Sequence, residues 1–250
     1  MYINDINIMY YVLVGVIGLI VGQFVDWCND RLPNYKKVFS KEFFTVYLRN
    51  LKPKFLLMFT TAVIYIALLY FIGWQENILY KIQLIKYMLL TPMLLSAFVI
   101  DFRLQIISNR LNLTIFETGL LFTFIEGMFN QSLAINYLLG GLLGAGIFLL
   151  ITLLGGMIAG KEAMGFGDVK FMGALGLFFG WIPIIEISII SFLLAAVISI
   201  LLIVTKIRKT DEYIPFGPFI VGACFIIMIV PSEILLFLLF KIFTLGMYQG

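Results

Sequence analysis

The chain of 250 residues contains no histidine. That absence excludes every Ser-His-Asp or Cys-His relay and the usual histidine-bearing zinc sites. Cysteine is almost missing as well. Cys28 and Cys224 are too few and too far apart for a thiolate metal site, which leaves hydrolytic chemistry to carboxylates. Charge is scarce: 12% of residues are Asp, Glu, Lys or Arg against 62% hydrophobic ones, and the mean hydropathy of +1.07 excludes an ordinary soluble domain. No repeat, heptad or low-complexity segment divides the chain. It reads as one integral membrane domain over residues 1–250, with a basic loop at 26–54 as its one sizeable polar part.

What the chain has instead is long apolar runs. They cover Ile8 to Val25, Phe55 to Trp74, Ile78 to Ile100, Leu111 to Phe129, Tyr137 to Ala159 and Glu186 to Thr205, and most reach the roughly 20 residues a bilayer core requires. Asp5 precedes the first run and basic residues follow it, the reverse of a secretory signal, so it is expected to be a retained span. Phe171 to Trp181 stops at Ile182-Pro183 and is short for a crossing, as a thin or re-entrant helix would be. Phe216 to Met247, broken by Pro231-Ser232-Glu233, fits one kinked helix with a tail or two short helices. The expected fold is an all-α polytopic membrane protein of about eight transmembrane or partly embedded helices, with seven to nine allowed.

Basic residues set the orientation. With the N-terminus outside, 14 of the 17 Lys and Arg residues fall in cytosolic loops, and the turns near Gln75, Phe129 and Trp181 carry none. The same loops suit anionic lipid rather than nucleic acid.

Two carboxylates stand out against this background. Asp168 follows Met164-Gly165-Phe166-Gly167, where the polar Gly160-Lys161-Glu162 gives way to an apolar helix, and Asp101 ends the apolar run Met93 to Ile100. Both sit on the cytosolic side at one expected depth. Peptide hydrolysis by two carboxylates needs one ionised, to take a proton from water, and one protonated, to polarise the scissile carbonyl. Like charges at close range enforce that split. The glycines at 165 and 167 are expected to let the backbone turn sharply and a substrate strand approach. Lys170 is a snorkelling lysine or a substrate contact. Of the remaining acids, Glu126 and Glu186 are expected near the outer interface and Glu117 deep in the bilayer.

Gly165-Phe166-Gly167-Asp168-Val169-Lys170 resembles the GxGD motif of the type IV prepilin peptidases, which are membrane aspartyl proteases. Two further blocks resemble that family in the same order: Gly18 to Pro33 at the end of the first span, and Ile214-Pro215-Phe216-Gly217-Pro218-Phe219 opening the last region. The resemblance implies that Asp101 and Asp168 are catalytic and that Gly165, Phe166, Gly167, Lys170, Pro215, Phe216, Gly217 and Pro218 bind substrate or shape the site. It implies no cofactor and no metal. The implied activity is endopeptidase removal of the short basic leader from type IV prepilin-like or pseudopilin precursors, at the cytosolic face of the inner (plasma) membrane. Expected partners are that precursor and the lipid bilayer, with no nucleic acid and no oligomeric state specified.

The chain also departs from the family pattern. Many bacterial members carry two CxxC pairs in the first cytosolic loop, where this chain has Cys28 alone, so the zinc-binding subdomain is absent and methyl transfer, associated with that region, is left open. Gln23 and Asp26 stand where Ser and Asn are more common, and the loop after Asp101 lacks its usual Pro. The rival from another class is a transporter or channel that binds cations with its membrane carboxylates.

Overall fold

Backbone polar groups in hydrocarbon must be satisfied within the segment that carries them, so apolar runs of this length become helices. The computed structural model describes residues 2–4, 6–38, 40–49, 51–159, 164–206 and 214–244. Among these lie nine α-helices: α1 (Ile8–Arg31), α2 (Phe55–Ile72), α3 (Ile78–Leu104), α4 (Asn109–Phe129), α5 (Gln131–Ala159), α6 (Phe166–Phe179), α7 (Trp181–Val204), α8 (Gly217–Ile229) and α9 (Ser232–Phe243). Two-residue strands β1 (Tyr2–Ile3) and β2 (Ile6–Asn7) pair antiparallel ahead of α1. The protein is an all-α, multi-pass membrane protein, with α1, α2, α3, α5 and α7 long and apolar enough to cross a bilayer. Residues 160–162, part of the polar approach to Asp168, lie outside the described residues, as do Arg208 and Lys209.

Helix starts differ between the two ends of the bundle. Asn7 accepts from the N–H of Met9 at 3.0 Å, Asn77 from Leu79 at 2.9 Å, Asn130 from Ser132 at 3.0 Å and Asn136 from Trp181 at 3.0 Å. The odd-numbered helices α1, α3, α5 and α7 thus each begin with a neutral amide satisfying a free N–H. Lys54, Ser108, Gly165 and Phe216 precede the starts of α2, α4, α6 and α8, and none of the four caps through its side chain.

Glycine governs the closest packing. A Cβ at Gly18 would lie 2.6 Å from the Ala62 backbone, and one at Gly22 2.6 Å from that of Met58, so α1 and α2 touch main chain to main chain. Gly140 and Gly144 do the same for α5 against α6, where a Cβ would meet the Gly176 and Met172 carbonyls at 2.5 Å. Both pairs are spaced four apart, the small-xxx-small arrangement of membrane helix contacts. α6 is thereby enclosed, with Phe171, Met172, Leu175 and Phe178 buried. Its 14 residues span only about 21 Å, consistent with the short embedded helix expected there.

Several boundaries differ from the sequence reading. α1 continues through Arg31, so residues 26–31 of the expected loop are helical. Gln23, Trp27 and Arg31, four apart on one face of α1, reach out to the loop backbone. Gln23 accepts from Lys54 N–H at 3.0 Å, Trp27 donates to the Val38 carbonyl at 2.9 Å and Arg31 to that of Lys37 at 3.0 Å. Arg31 also pairs with Glu42, and Phe43 and Tyr47 of a π-helical turn (Phe43–Tyr47) pack on Trp27. Pro231 separates α8 from α9, which resolves the C-terminal region into two short helices.

The membrane acids acquire a direction that the sequence left open. Glu117 is exposed on the outer face of α4, whereas Glu126 and Glu186 are buried at 2% and 1% exposure. Glu126 pairs with Lys86 of α3 at 2.7 Å, and both meet the Tyr137 hydroxyl, which donates to Glu126 at 2.5 Å and accepts from Lys86 at 3.1 Å. Hydropathy measures depth along a helix but not the direction a side chain faces, and here the partner decides the direction. Removing one member of a buried ion pair strands the other, at about 3–5 kcal/mol. Lys86→Met is therefore expected to lower the melting temperature in detergent by roughly 10 °C. Lys86→Met combined with Glu126→Met should recover most of that loss.

Candidate active site

α3 ends one turn beyond Asp101. Gln105 closes it in the left-handed region at φ 56°, and its N–H donates to the Asp101 carbonyl at 2.8 Å. The Asp101 side chain is left at the helix end, 4% exposed. Asp168 occupies the first turn of α6, its N–H donating to the Gly165 carbonyl at 3.0 Å, and is 5% exposed. The unpaired N–H groups of such a turn make it a favourable place for an acid. The two carboxylates, 67 positions apart in sequence, line one cavity of about 400 Å³ and lie close enough for their charges to interact. Gly165, Phe166, Gly167 and Lys170 line it too, with Pro33 and Tyr35 from the segment after α1.

A third element holds Asp101. The Gly217 N–H at the start of α8 donates to Asp101 Oδ2 at 2.9 Å. A Cβ at Gly217 would lie 2.5 Å from that oxygen, so no larger residue fits without moving the carboxylate. Pro218 sits in the first turn of α8, where its missing N–H costs nothing. Pro215 is buried, and the Phe216 ring packs against Phe148 and Phe192 with centroids 5.9 and 4.9 Å apart. Pro215, Phe216 and Pro218 thus anchor α8, and the residues lining the cavity do not include them.

The glycines of the Gly165-Phe166-Gly167 segment work differently from the expectation of a sharp turn. Neither has a positive φ, and Gly165 is ordinary extended backbone at φ −68°. What they provide is space. A Cβ on Gly165 would sit 3.4 Å from Asp168 Oδ2, and one on Gly167 would touch Ile107 at an ordinary 3.5 Å.

Lys170 is exposed and donates to Asn109 Oδ1 at 3.1 Å rather than pairing with an acid. Asn112, one helical turn further along α4, donates through Nδ2 to the Gly167 carbonyl at 3.1 Å and so pins the segment that carries Asp168. The sequence reading passed over both asparagines. Their i, i+3 spacing, matched by Gly167 and Lys170 on α6, is the signal that marks them as one face.

A multi-pass helical membrane protein that gathers two carboxylates at helix ends defines a narrow class. The family model for the type IV leader peptidases matches residues 88–200, a stretch that contains both Asp101 and Asp168. Leader peptidase HopD of Escherichia coli is 32% identical over 132 residues, covering 52% of this chain and 83% of that protein. The chain belongs to the type IV leader peptidase family. The prepilin leader peptidase/N-methyltransferases of Aeromonas hydrophila and Escherichia coli (strain K12) are 30% and 31% identical over 142 and 129 residues, or 57% and 50% of this chain. The matched stretches cover 48% and 54% of those two proteins, so the chain spans about half their length. No solved structure gives a significant match.

The two kinds of glycine separate experimentally. Overpacking a filled site costs about 1–3 kcal/mol. Gly217→Ala should therefore lower the melting temperature by roughly 2–10 °C, while Gly167→Ala leaves it nearly unchanged in the same thermal denaturation series.

Proposed function

We propose that this protein is a membrane aspartyl endopeptidase that removes the short basic leader from type IV prepilin-like or pseudopilin precursors. The observation that carries this reading is the convergence of Asp101 and Asp168, from α3 and α6, on one cavity. Family membership supports it, since the HopD relative is named a leader peptidase.

One carboxylate, ionised, takes a proton from water as the water oxygen attacks the scissile carbonyl carbon. The other, protonated, hydrogen-bonds the carbonyl oxygen and stabilises its developing charge. Collapse of the tetrahedral intermediate breaks the C–N bond, and a carboxyl proton passes to the departing amine, so the pair ends with the one proton it began with. Gly217 orients Asp101 through its N–H. The bare backbone at Gly165 and Gly167 leaves room beside Asp168 for an extended peptide, while Phe166 and Lys170 flank that peptide. Pro215, Phe216 and Pro218 shape the site indirectly by fixing α8.

The concentration of Lys and Arg supports an orientation with the N-terminus outside and the cavity facing the cytosol of the plasma membrane. A site at that interface meets the junction between a precursor's polar leader and its apolar helix without unwinding the middle of the helix. Cleavage after a small residue at that junction, usually glycine, fits the uncrowded backbone around Gly165.

The test is leader removal from a prepilin precursor in detergent, followed by mass spectrometry. Asp101→Asn and Asp168→Asn are each expected to lower the rate by about 10²–10⁴-fold with the melting transition preserved. Retained cleavage in either variant removes that residue from the mechanism, and no cleavage by the wild type across several precursors favours a carrier of cations instead. The wild-type rate should describe a bell against pH, falling on the acid side when both carboxyls are protonated and on the alkaline side when both ionise.

A further inference from the structure

The helices of this bundle do not all end in the same way. α2 and α6 finish with Gly73 at φ 75° and Gly180 at φ 85°, where positive φ costs a glycine nothing. At the catalytic cavity the corresponding positions carry side chains. Gln105 terminates α3 at φ 56°, its N–H reaching back to the Asp101 carbonyl. Tyr35, at φ 54°, closes the turn that follows α1. Its N–H donates to the Leu32 carbonyl at 3.4 Å and that of Lys36 to the Arg31 carbonyl at 3.1 Å, the paired bonds of a Schellman closure, in which glycine is the usual residue. Positive φ is costly for residues of this size, and where it persists it marks positions at which something other than local stability is required.

Four residues other than glycine have a positive φ among the described residues: Asn4, Tyr35, Gln105 and Lys206. Asparagine tolerates that conformation through its short polar side chain. Of the other three, Tyr35 and Gln105 both line the catalytic cavity. Both are exposed, and neither the Tyr35 hydroxyl nor the Gln105 carboxamide bonds to another group among the described residues. Tyr35 is nevertheless held in place from α4. The Arg110 guanidinium lies 5.4 Å from its ring centroid and donates to the Lys36 carbonyl at 3.1 Å, and the Ser108 hydroxyl donates to the Leu32 carbonyl at 3.2 Å.

A peptide that enters the cavity in extended form brings one N–H and one C=O per residue, and each needs a partner once water is displaced. Strands β1 and β2 precede α1, whereas the cavity is built from residues that follow it, so no sheet edge among the described residues meets that need. A carboxamide offers both a donor and an acceptor on one side chain, and a tyrosine offers a flat ring. We propose that Gln105 and Tyr35 are substrate-binding residues, an inference that rests on the peptidase reading above. Gln105 pairs its carboxamide with a main-chain N–H and C=O of the extended peptide, and the Tyr35 ring packs across the small residue before the scissile bond. Glycine at either position would give a more stable helix end and an emptier cavity wall.

The experiment compares three glycine variants of the full chain in detergent, with a prepilin precursor as substrate. Gln105→Gly, Tyr35→Gly and Lys206→Gly all relieve a positive φ, and each is expected to raise the melting temperature by roughly 2–4 °C. Gln105→Gly and Tyr35→Gly should lower kcat/KM about tenfold. Lys206→Gly, at the end of α7 and outside the cavity, should leave it unchanged. Gln105→Ala and Tyr35→Ala keep the backbone restricted while removing the side chain, so they should lose as much activity as the glycine variants. In an Asp168→Asn background that retains the uncleaved precursor, a photoreactive benzoylphenylalanine replacing Tyr35 should capture the precursor, and one replacing Lys206 should not.

An unaltered kcat/KM in Gln105→Gly or Tyr35→Gly overturns the assignment of that residue, and equal capture from positions 35 and 206 overturns that of Tyr35. A loss in the glycine variants that the alanine variants do not share overturns both, because it traces the loss to a loosened backbone. Each of these results leaves the peptidase reading standing. A wild type that cleaves no precursor overturns the peptidase reading and this inference with it.

Discussion

The arrangement depends on a helix too short to cross a bilayer by itself. α6 persists because α4, α5 and α7 wrap it, and α5 comes near enough only because Gly140 and Gly144 expose bare backbone to it. Enclosure fixes the depth of its first turn, and with it the depth of Asp168. Asp101 reaches the same level from the opposite end of a helix, where α3 stops, and α8 contributes the N–H that holds it. Three helix termini, not three side chains placed within helices, make the site. A terminus is where backbone groups are free to bond and where water can reach a carboxylate without entering hydrocarbon.

Much of this was legible in the sequence because hydrophobicity along the chain reports membrane depth directly. Asp101 and Asp168 were recognisable as acids at the ends of apolar runs, and α2 and α4 formed within about two residues of the expected runs, whereas α1, α5, α6 and α7 each extended five or six residues beyond one end. What depth cannot report is azimuth. Glu117 and Glu126 lie on one helix, yet the first faces outward and the second is locked to Lys86 and Tyr137, residues from α3 and α5. The same limit hid Asn112, which is unremarkable in sequence and matters only because α6 brings the Gly167 carbonyl to it. Of the two reasons for Gly165 and Gly167, a sharp turn and room for a substrate strand, the backbone gives no sign of the first, since neither has a positive φ. What remains is the space left by the missing side chain, which a sequence alone does not separate from a need for unusual dihedral angles.

The first loop is held to one face of α1. Gln23, Trp27 and Arg31 hold the loop backbone at successive turns, and the aromatic rings of Phe43 and Tyr47 cover Trp27. Gln23 bonds the loop twice, accepting from the Lys54 N–H and donating to the Lys52 carbonyl. The loop in turn delivers Pro33 and Tyr35 to the cavity wall, so its order contributes to the site.

The asparagine caps carry a consequence for biogenesis. In the orientation proposed here, the starts of α1, α3, α5 and α7 are the ends that must pass through hydrocarbon while the chain is inserted. An aspartate would cap as well in water but would cross as an ion, whereas an amide crosses as a neutral dipole at far lower desolvation cost. The caps that finish these helices thus add little of their own to the cost of passage across the bilayer, and the Lys and Arg residues at the other end hold each helix from following through.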